Sequence, residues 1–109
     1  MKKVYLSILF ILLSPLSSAS GWTEAVEVKR IVVVGTGGIN VSVFPELTGC
    51  VSQSGYGANY ASIYPEHKGL NSIHSNLLAA YMSGKKVSLY LANDSCKVTE
   101  MVLGGTYNY

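Results

Sequence analysis

The stretch 71–96, NSIHSNLLAAYMSGKKVSLYLANDSC, constrains the fold more than any other part of the chain, because a helical apolar period changes there to a strand period. Apolar residues at three- and four-residue spacing predict a helix over 70–83 with one buried face. That face comprises Leu70, Ile73, Leu77 and Ala80 or Tyr81, and it is widened by Leu78 and Met82. We expect Asn71 or Ser72 to cap the first turn and Gly84 to end the helix in the left-handed conformation.

After the helix the apolar period becomes two, which predicts a strand that buries one face. The inward residues are Val87, Leu89 and Leu91, and a turn at 93–95 leads to Cys96. This part of the sequence specifies elements of a fold but no chemistry.

The first residues have the pattern of a secretory signal peptide. Met1-Lys2-Lys3 is basic, residues 4–16 are mostly apolar, and Ser17-Ser18-Ala19 supplies the small residues of a cleavage site after Ala19. A membrane anchor is the alternative, but the apolar run is shorter than the ~20 residues that span a bilayer. We therefore expect a signal peptide over 1–19, a secreted or periplasmic protein with no membrane association after cleavage, and one small domain over 20–109.

Charge outside the predicted signal peptide is balanced. The chain has 8 basic and 6 acidic residues, and removal of Lys2 and Lys3 leaves six of each. Zero net charge argues against nucleic acid or an anionic membrane surface as an electrostatic partner. It also makes self-association easier, so the sequence permits a homo-oligomer without requiring one.

Cys50 and Cys96 are the only cysteines, and both follow the predicted signal peptide. An even number in an exported chain predicts a disulfide, which would contribute ~4 kcal/mol in the chain-entropy model. A metal pair or reactive thiols are the alternatives. Because no histidine flanks either cysteine, we expect no metal site, and no motif for a cofactor is present.

The remaining apolar patterns predict four further strands. They lie at 24–34, 39–44, 60–64 and 97–103, with a hairpin turn at 35–38 and Trp22 in a lead-in. The first of them is expected to be covered on both faces or to change face at a β-bulge. The order predicts a mainly β (α+β) fold: a five-stranded antiparallel barrel like the oligonucleotide/oligosaccharide-binding (OB) barrel, or a curled sheet, with the helix between strands three and four. An open α+β sheet would give the same order.

The catalytic candidates are isolated residues. His67 and His74 have no cysteine or acid at ligand spacing, and the glycines at 35–38 lack the lysine and helix of a phosphate loop. Ser52, Ser54 and Ser62 follow no recognisable nucleophile motif, and the glutamates are scattered. We therefore predict that the protein is not an enzyme; a small secreted hydrolase that uses His67 or His74 is the alternative.

A cluster of tyrosine and amide side chains before the helix is the best binding candidate. The residues predicted to bind a ligand are Tyr56, Asn59, Tyr60 and Tyr64, preceded by Ser52, Gln53 and Ser54. Tyrosine stacks on sugar or peptide surfaces and offers a hydroxyl, while short amides and hydroxyls add hydrogen bonds. The alternative is a tyrosine-rich connection that packs on its own barrel.

The segment from Cys50 to Cys96 resembles a widespread group of small exported bacterial proteins of unknown function. The shared pattern is a first cysteine, a tyrosine-bearing loop, Leu77-Leu78-Ala79-Ala80, Ser83-Gly84-Lys85-Lys86-Val87, a strand and a second cysteine. More weakly, the layout is similar to the B subunits of pentameric bacterial toxins. That resemblance implies a small disulfide-bonded OB-like barrel that binds cell-surface glycans, and it identifies no site residue here.

Together these observations predict an exported, non-catalytic binding module whose partner is a glycan or another protein. A ring-forming oligomer is compatible with the resemblance to toxin B subunits. A structural or inhibitory protein of the periplasm that binds one protein partner is the alternative, and a stable monomer with no ligand is a third.

Overall fold

The computed structural model describes residues 21–50, 59–92 and 96–105. Its elements are, in chain order, β1 (Gly21–Trp22), β2 (Glu27–Val33), β3 (Ile39–Phe44), β4 (Ala61–Ile63), α1 (Leu70–Ser83), β5 (Val87–Leu91) and β6 (Val98–Leu103). The predicted signal peptide, the turn at 93–95 and the loop residues Ser52, Gln53, Ser54 and Tyr56 lie outside the described residues.

The fold is mainly β with one helix, as predicted, but its strands form two sheets. β2, β3 and β4 make one antiparallel sheet, and β1, β5 and β6 make the other. Among the described residues, only isolated bridges join the two sheets, an antiparallel one between Val26 and Val87 and a parallel one between Ser62 and Lys97. The prediction of five antiparallel strands in one barrel is therefore wrong as far as continuous pairing is concerned.

A β-bulge in β2 explains why the pairing between this part of the chain and β5 ends after one bridge. Val28 and Arg30 pair with the consecutive residues Val43 and Ser42 of β3, so Lys29 is an extra residue. Bulges bend a strand and increase its twist, and the described pairing of β2 to β5 is limited to Val26, before the bulge. Of the two alternatives expected for 24–34, coverage on both faces or a change of face at a bulge, the structure shows the bulge.

The β1 strand was not expected from the sequence, which indicated only a lead-in around Trp22. Gly21 and Trp22 pair with Leu91 and Tyr90 of β5. The Trp22 ring meets the Tyr90 ring edge to face, with centroids 5.3 Å apart, a favourable arrangement for aromatic quadrupoles. A two-residue strand is too short to show a period, so the sequence pattern could predict neither β1 nor the ring contact.

Helix α1 has the predicted bounds and C-terminal end. Ile73, Leu77 and Ala80 are buried, and Gly84 adopts φ 77° while its N–H donates to the Ala80 carbonyl at 2.8 Å. Leu70 is partly buried against the same core.

Two expectations for the helix are wrong. Gly69 occupies the N-cap position without a side-chain cap, while Asn71 and Ser72 are exposed within the first turn. The predicted wider apolar face is also exposed: the accessible fractions of Leu78, Tyr81 and Met82 are 47%, 51% and 75%. One helix face of three buried positions is enough to close the small core, so the flanking apolar residues stay outside.

One hydrophobic core links the inner faces of both sheets to the helix. Its largest fully buried apolar members are Ile63, Leu77, Leu89, Val26, Val41, Val87 and Val98. The predicted Cys50–Cys96 disulfide is confirmed, with Cα atoms 5.3 Å apart and both residues buried. It ties the loop after β3 to the start of β6. Within the described ranges, the helix falls short of the length and apolarity needed to cross a membrane.

Candidate ligand-binding grooves

The structure separates the residues that were predicted to form one tyrosine site. Asn59 and Tyr60 precede β4, whereas Tyr64 follows it. The Tyr64 ring lies under Lys97, whose Nζ is 4.7 Å from the ring centroid, a cation–π contact. Asn59 and Tyr60 line a common groove that does not include Tyr64. Tyr56 lies in the stretch 51–58, which the structure does not describe.

The groove at Tyr60, called here the tyrosine groove, has a volume of about 490 Å³. It is lined by Lys29, Arg30, Ser42, Glu46, Asn59 and Tyr60. Arg30 Nη1 donates to Tyr60 Oη at 3.4 Å, a long hydrogen bond that joins β2 to the start of β4. The groove thus combines an aromatic ring with an amide, a hydroxyl, two cations and one carboxylate.

The bulge of β2 is what places both cations beside the tyrosine. In a regular strand consecutive side chains point to opposite faces. Lys29 is the extra residue of the bulge, and both Lys29 and Arg30 are exposed on the outer side. Ser42 pairs with Arg30 and adds its hydroxyl to the same side. Sequence analysis missed Lys29 and Arg30, since it predicted a change of face without fixing its position.

The two cations differ in their partners. Lys29 Nζ lies 4.0 Å from Glu27 Oε1, and both side chains are about half exposed, so this ion pair contributes little. The Arg30 guanidinium donates to the Tyr60 hydroxyl. A guanidinium carries five N–H donors, and this hydrogen bond engages one of them.

A second groove, called here the apolar groove, lies between β2 and α1 and has a volume of about 470 Å³. It is lined by Lys29, Arg30, Ile31, Val33, His74, Leu78 and Tyr81. Leu78 was expected to widen the buried helix face, and Tyr81 was the alternative to Ala80 on that face. Both instead form one wall of this groove. Its apolar walls carry cationic side chains at one end, and no acidic residue lines it.

A third cavity, of about 220 Å³, lies between β1 and the disulfide. Trp22, Leu47 and both half-cystines are among its lining residues, together with Glu24 and Glu46. The lining has no cationic side chain to balance the two glutamates. It is less than half the volume of either groove, so we treat the two grooves as the candidate sites.

His67 has a structural role. Its Nδ1 accepts a hydrogen bond from the Gly69 N–H at 2.8 Å, and its Nε2 lies 2.9 Å from the Thr99 carbonyl oxygen. The ring is therefore the neutral tautomer with the proton on Nε2, since a carbonyl only accepts. Both nitrogens are engaged in holding the start of α1 against β6, which leaves His67 poorly placed to act as a catalytic base.

The other residues considered for catalysis also lie apart from one another. The Ser62 hydroxyl is buried and donates to Asn40 Oδ1 at 2.7 Å, while the described residues that line the apolar groove with His74 include no serine and no acidic residue. Among the described residues, no three His, Cys, Asp or Glu side chains are arranged to hold a metal ion. No known protein family, no curated protein and no solved structure matches this chain.

Proposed function

We propose that this protein is an exported, non-catalytic binding module that holds a glycan in the tyrosine groove. The observation that carries the proposal is the convergence there of the Tyr60 ring, the Asn59 amide, the Ser42 hydroxyl and the Arg30 guanidinium. A phenol ring can stack on the apolar face of a sugar, and the polar groups can hydrogen-bond its hydroxyls. Concave sites with a few convergent polar groups are typical of small-ligand binding.

Export is supported by two independent features. The first residues follow the signal-peptide pattern. The Cys50–Cys96 disulfide needs a compartment that does not reduce it. We place the protein in the periplasm or the medium on these grounds, with cleavage after Ala19.

The order of strands supports an OB-like interpretation despite the incomplete pairing. If the two isolated bridges are followed as neighbours, the spatial order becomes β2-β3-β4-β6-β5 and returns to β2. In the chain, α1 lies between β4 and β5. OB folds are partly open barrels that bind oligosaccharides on the face of their second and third strands. Ser42 lies in β3, the second of these strands, and Tyr60 directly precedes β4, the third. This correspondence supports the tyrosine groove as the ligand-binding site.

A glycan array, probed with labelled protein comprising residues 20–109, tests the proposal. We expect retention of a subset of glycans and at least a tenfold loss of affinity for Tyr60→Ala, which corresponds to about 1.4 kcal/mol. Tyr64→Ala is the matched control, because that ring contacts Lys97 outside the groove. Absence of any retained glycan, or equal binding by Tyr60→Ala and the unmodified protein, would contradict the proposal. Light scattering of the same sample distinguishes a ring-forming oligomer from a monomer.

A further inference from the structure

One edge of β2 is open. β2 pairs with β3 along one edge. At its other edge, the described residues make a single bridge to β5, from Val26, which directly precedes β2. The Val34 N–H donates to the Gly38 carbonyl on the β3 side at 2.9 Å. Because successive residues in a strand direct their N–H groups to opposite edges, Ile31 and Val33 direct theirs away from β3. The described residues supply no strand to pair with them.

The apolar groove lies directly beside this open edge. Ile31 and Val33 contribute to both, and Leu78 and Tyr81 of α1 form the opposite wall. Val33 is 60% exposed, although it faces the same side of the sheet as the buried Val28. Exposed apolar side chains grouped in this way next to unpaired backbone are a typical feature of interaction sites.

The charges around the groove indicate what occupies it. Lys29 and Arg30 lie at one end and His74 on the helix wall, while acidic side chains are absent from the lining. A partner that lays apolar side chains into the groove and directs carboxylates to Lys29 and Arg30 would match it in both respects.

We propose that the open edge of β2 and the apolar groove bind an extended segment of a partner protein in which apolar and acidic residues alternate. The segment adds a strand beside Ile31 and Val33 through backbone hydrogen bonds, as in β-augmentation. Its alternate side chains have opposite directions, so one set enters the groove and the other set, the acidic one, faces outward near Lys29 and Arg30. The two grooves share Lys29 and Arg30. The proposal nevertheless does not depend on glycan binding, because it rests on the open edge of β2 and on Leu78 and Tyr81, which do not line the tyrosine groove.

Two features argue for a specific partner rather than for indiscriminate pairing. The bulge at Lys29 interrupts the regular edge, so the added strand is short. A second copy of this chain would offer β1, β4 or β6 as an edge strand besides β2. β1 and β4 contain no acidic residue and β6 contains one, Glu100, whereas the groove presents two cations, Lys29 and Arg30. The charge match therefore favours a more acidic segment.

Three labelled 12-residue peptides test the proposal by fluorescence anisotropy: alternating Glu and Val, alternating Lys and Val, and alternating Glu and Ser. We expect the Glu/Val peptide to bind at least tenfold more tightly than either of the others, because only it supplies both the charge and the apolar side chains. Leu78→Glu is expected to weaken this binding at least tenfold. Met82→Glu is the matched control, since Met82 is exposed on the same helix and does not line the groove.

Amide hydrogen exchange provides the readout for the added strand. The Ile31 and Val33 amides are expected to exchange rapidly in the free protein and to become protected when the Glu/Val peptide binds. Equal binding of all three peptides, equal effects of Leu78→Glu and Met82→Glu, or unchanged exchange at these amides would overturn the proposal. So would light scattering that shows an oligomer of the unmodified protein that Leu78→Glu dissociates, because the occupant would then be a second copy.

Discussion

His67 substitutes for a helix cap. The helix begins after a glycine that offers no side chain, and the His67 ring accepts the Gly69 N–H while it donates to the Thr99 carbonyl of β6. We expect His67→Ala to lower the free energy of unfolding by about 1–2 kcal/mol, in the range of a lost cap or a partly buried hydrogen bond. Urea denaturation measures this loss. His74→Ala is the control and should cost less than about 0.5 kcal/mol; equal losses for the two variants would contradict the assigned role.

Hydrogen bonds between distant residues could not be predicted from the sequence. His67 matches no ligand motif in the sequence, and its hydrogen-bond partner Thr99 is 32 positions away. In the same way, the buried pair Asn40 and Ser62 is 22 positions apart, and no sequence pattern links the two residues. Such pairs depend on strand register, which a single sequence does not specify.

Helix α1 offers two adjacent leucines with opposite environments. Leu77 is fully buried in the core, whereas Leu78 lines the apolar groove and is about half exposed. We expect Leu77→Ala to cost about 2–5 kcal/mol through lost burial and a cavity. Leu78→Ala, a change of the same size one residue away, should cost less than about 1 kcal/mol. Denaturant unfolding of both variants tests the helix register, and comparable losses would show that the buried face is assigned incorrectly.

Elements with a clear period were predictable, and irregular ones were not. The alternation of Val87, Leu89 and Leu91 and the glycine at position 84 predicted β5 and the end of α1 correctly. The position of the bulge at Lys29 was not predictable, because 24–34 alternates at its start and is apolar on both faces later. The tyrosine groove was consequently found in part: Asn59 and Tyr60 were identified, but the cations that the bulge adds were not.

The disulfide links two parts of the molecule that the sheets join only through single bridges. It connects the loop after β3 to the start of β6 and closes a separation of 46 residues. We expect the double variant Cys50→Ala, Cys96→Ala to lose about 2–4 kcal/mol of unfolding free energy, mainly because its unfolded chain is less constrained. Urea unfolding of the variant and of the intact protein, both without reductant, measures the difference. An unchanged midpoint would mean that the bond adds nothing to stability.

Closure of the barrel was the part of the fold that the sequence could not decide. Apart from β1, the order of elements was predicted correctly, and it is compatible with a barrel, a curled sheet or an open sheet. Whether strands stay paired along their whole length depends on twist and bending. Here the bend after Val28 separates β2 from β5, and the three residues of β4 make one bridge to Lys97.

Lys29 and Arg30 line the tyrosine groove and the apolar groove alike. A ligand that draws the Arg30 guanidinium into one groove withdraws its donors from the other, so two ligands would compete for one side chain without touching each other. Thermodynamic linkage makes such antagonism reciprocal, with the same factor in both directions. Through the bulge at Lys29, the binding of a ligand in one groove would thereby lower the affinity of the other groove for its own ligand.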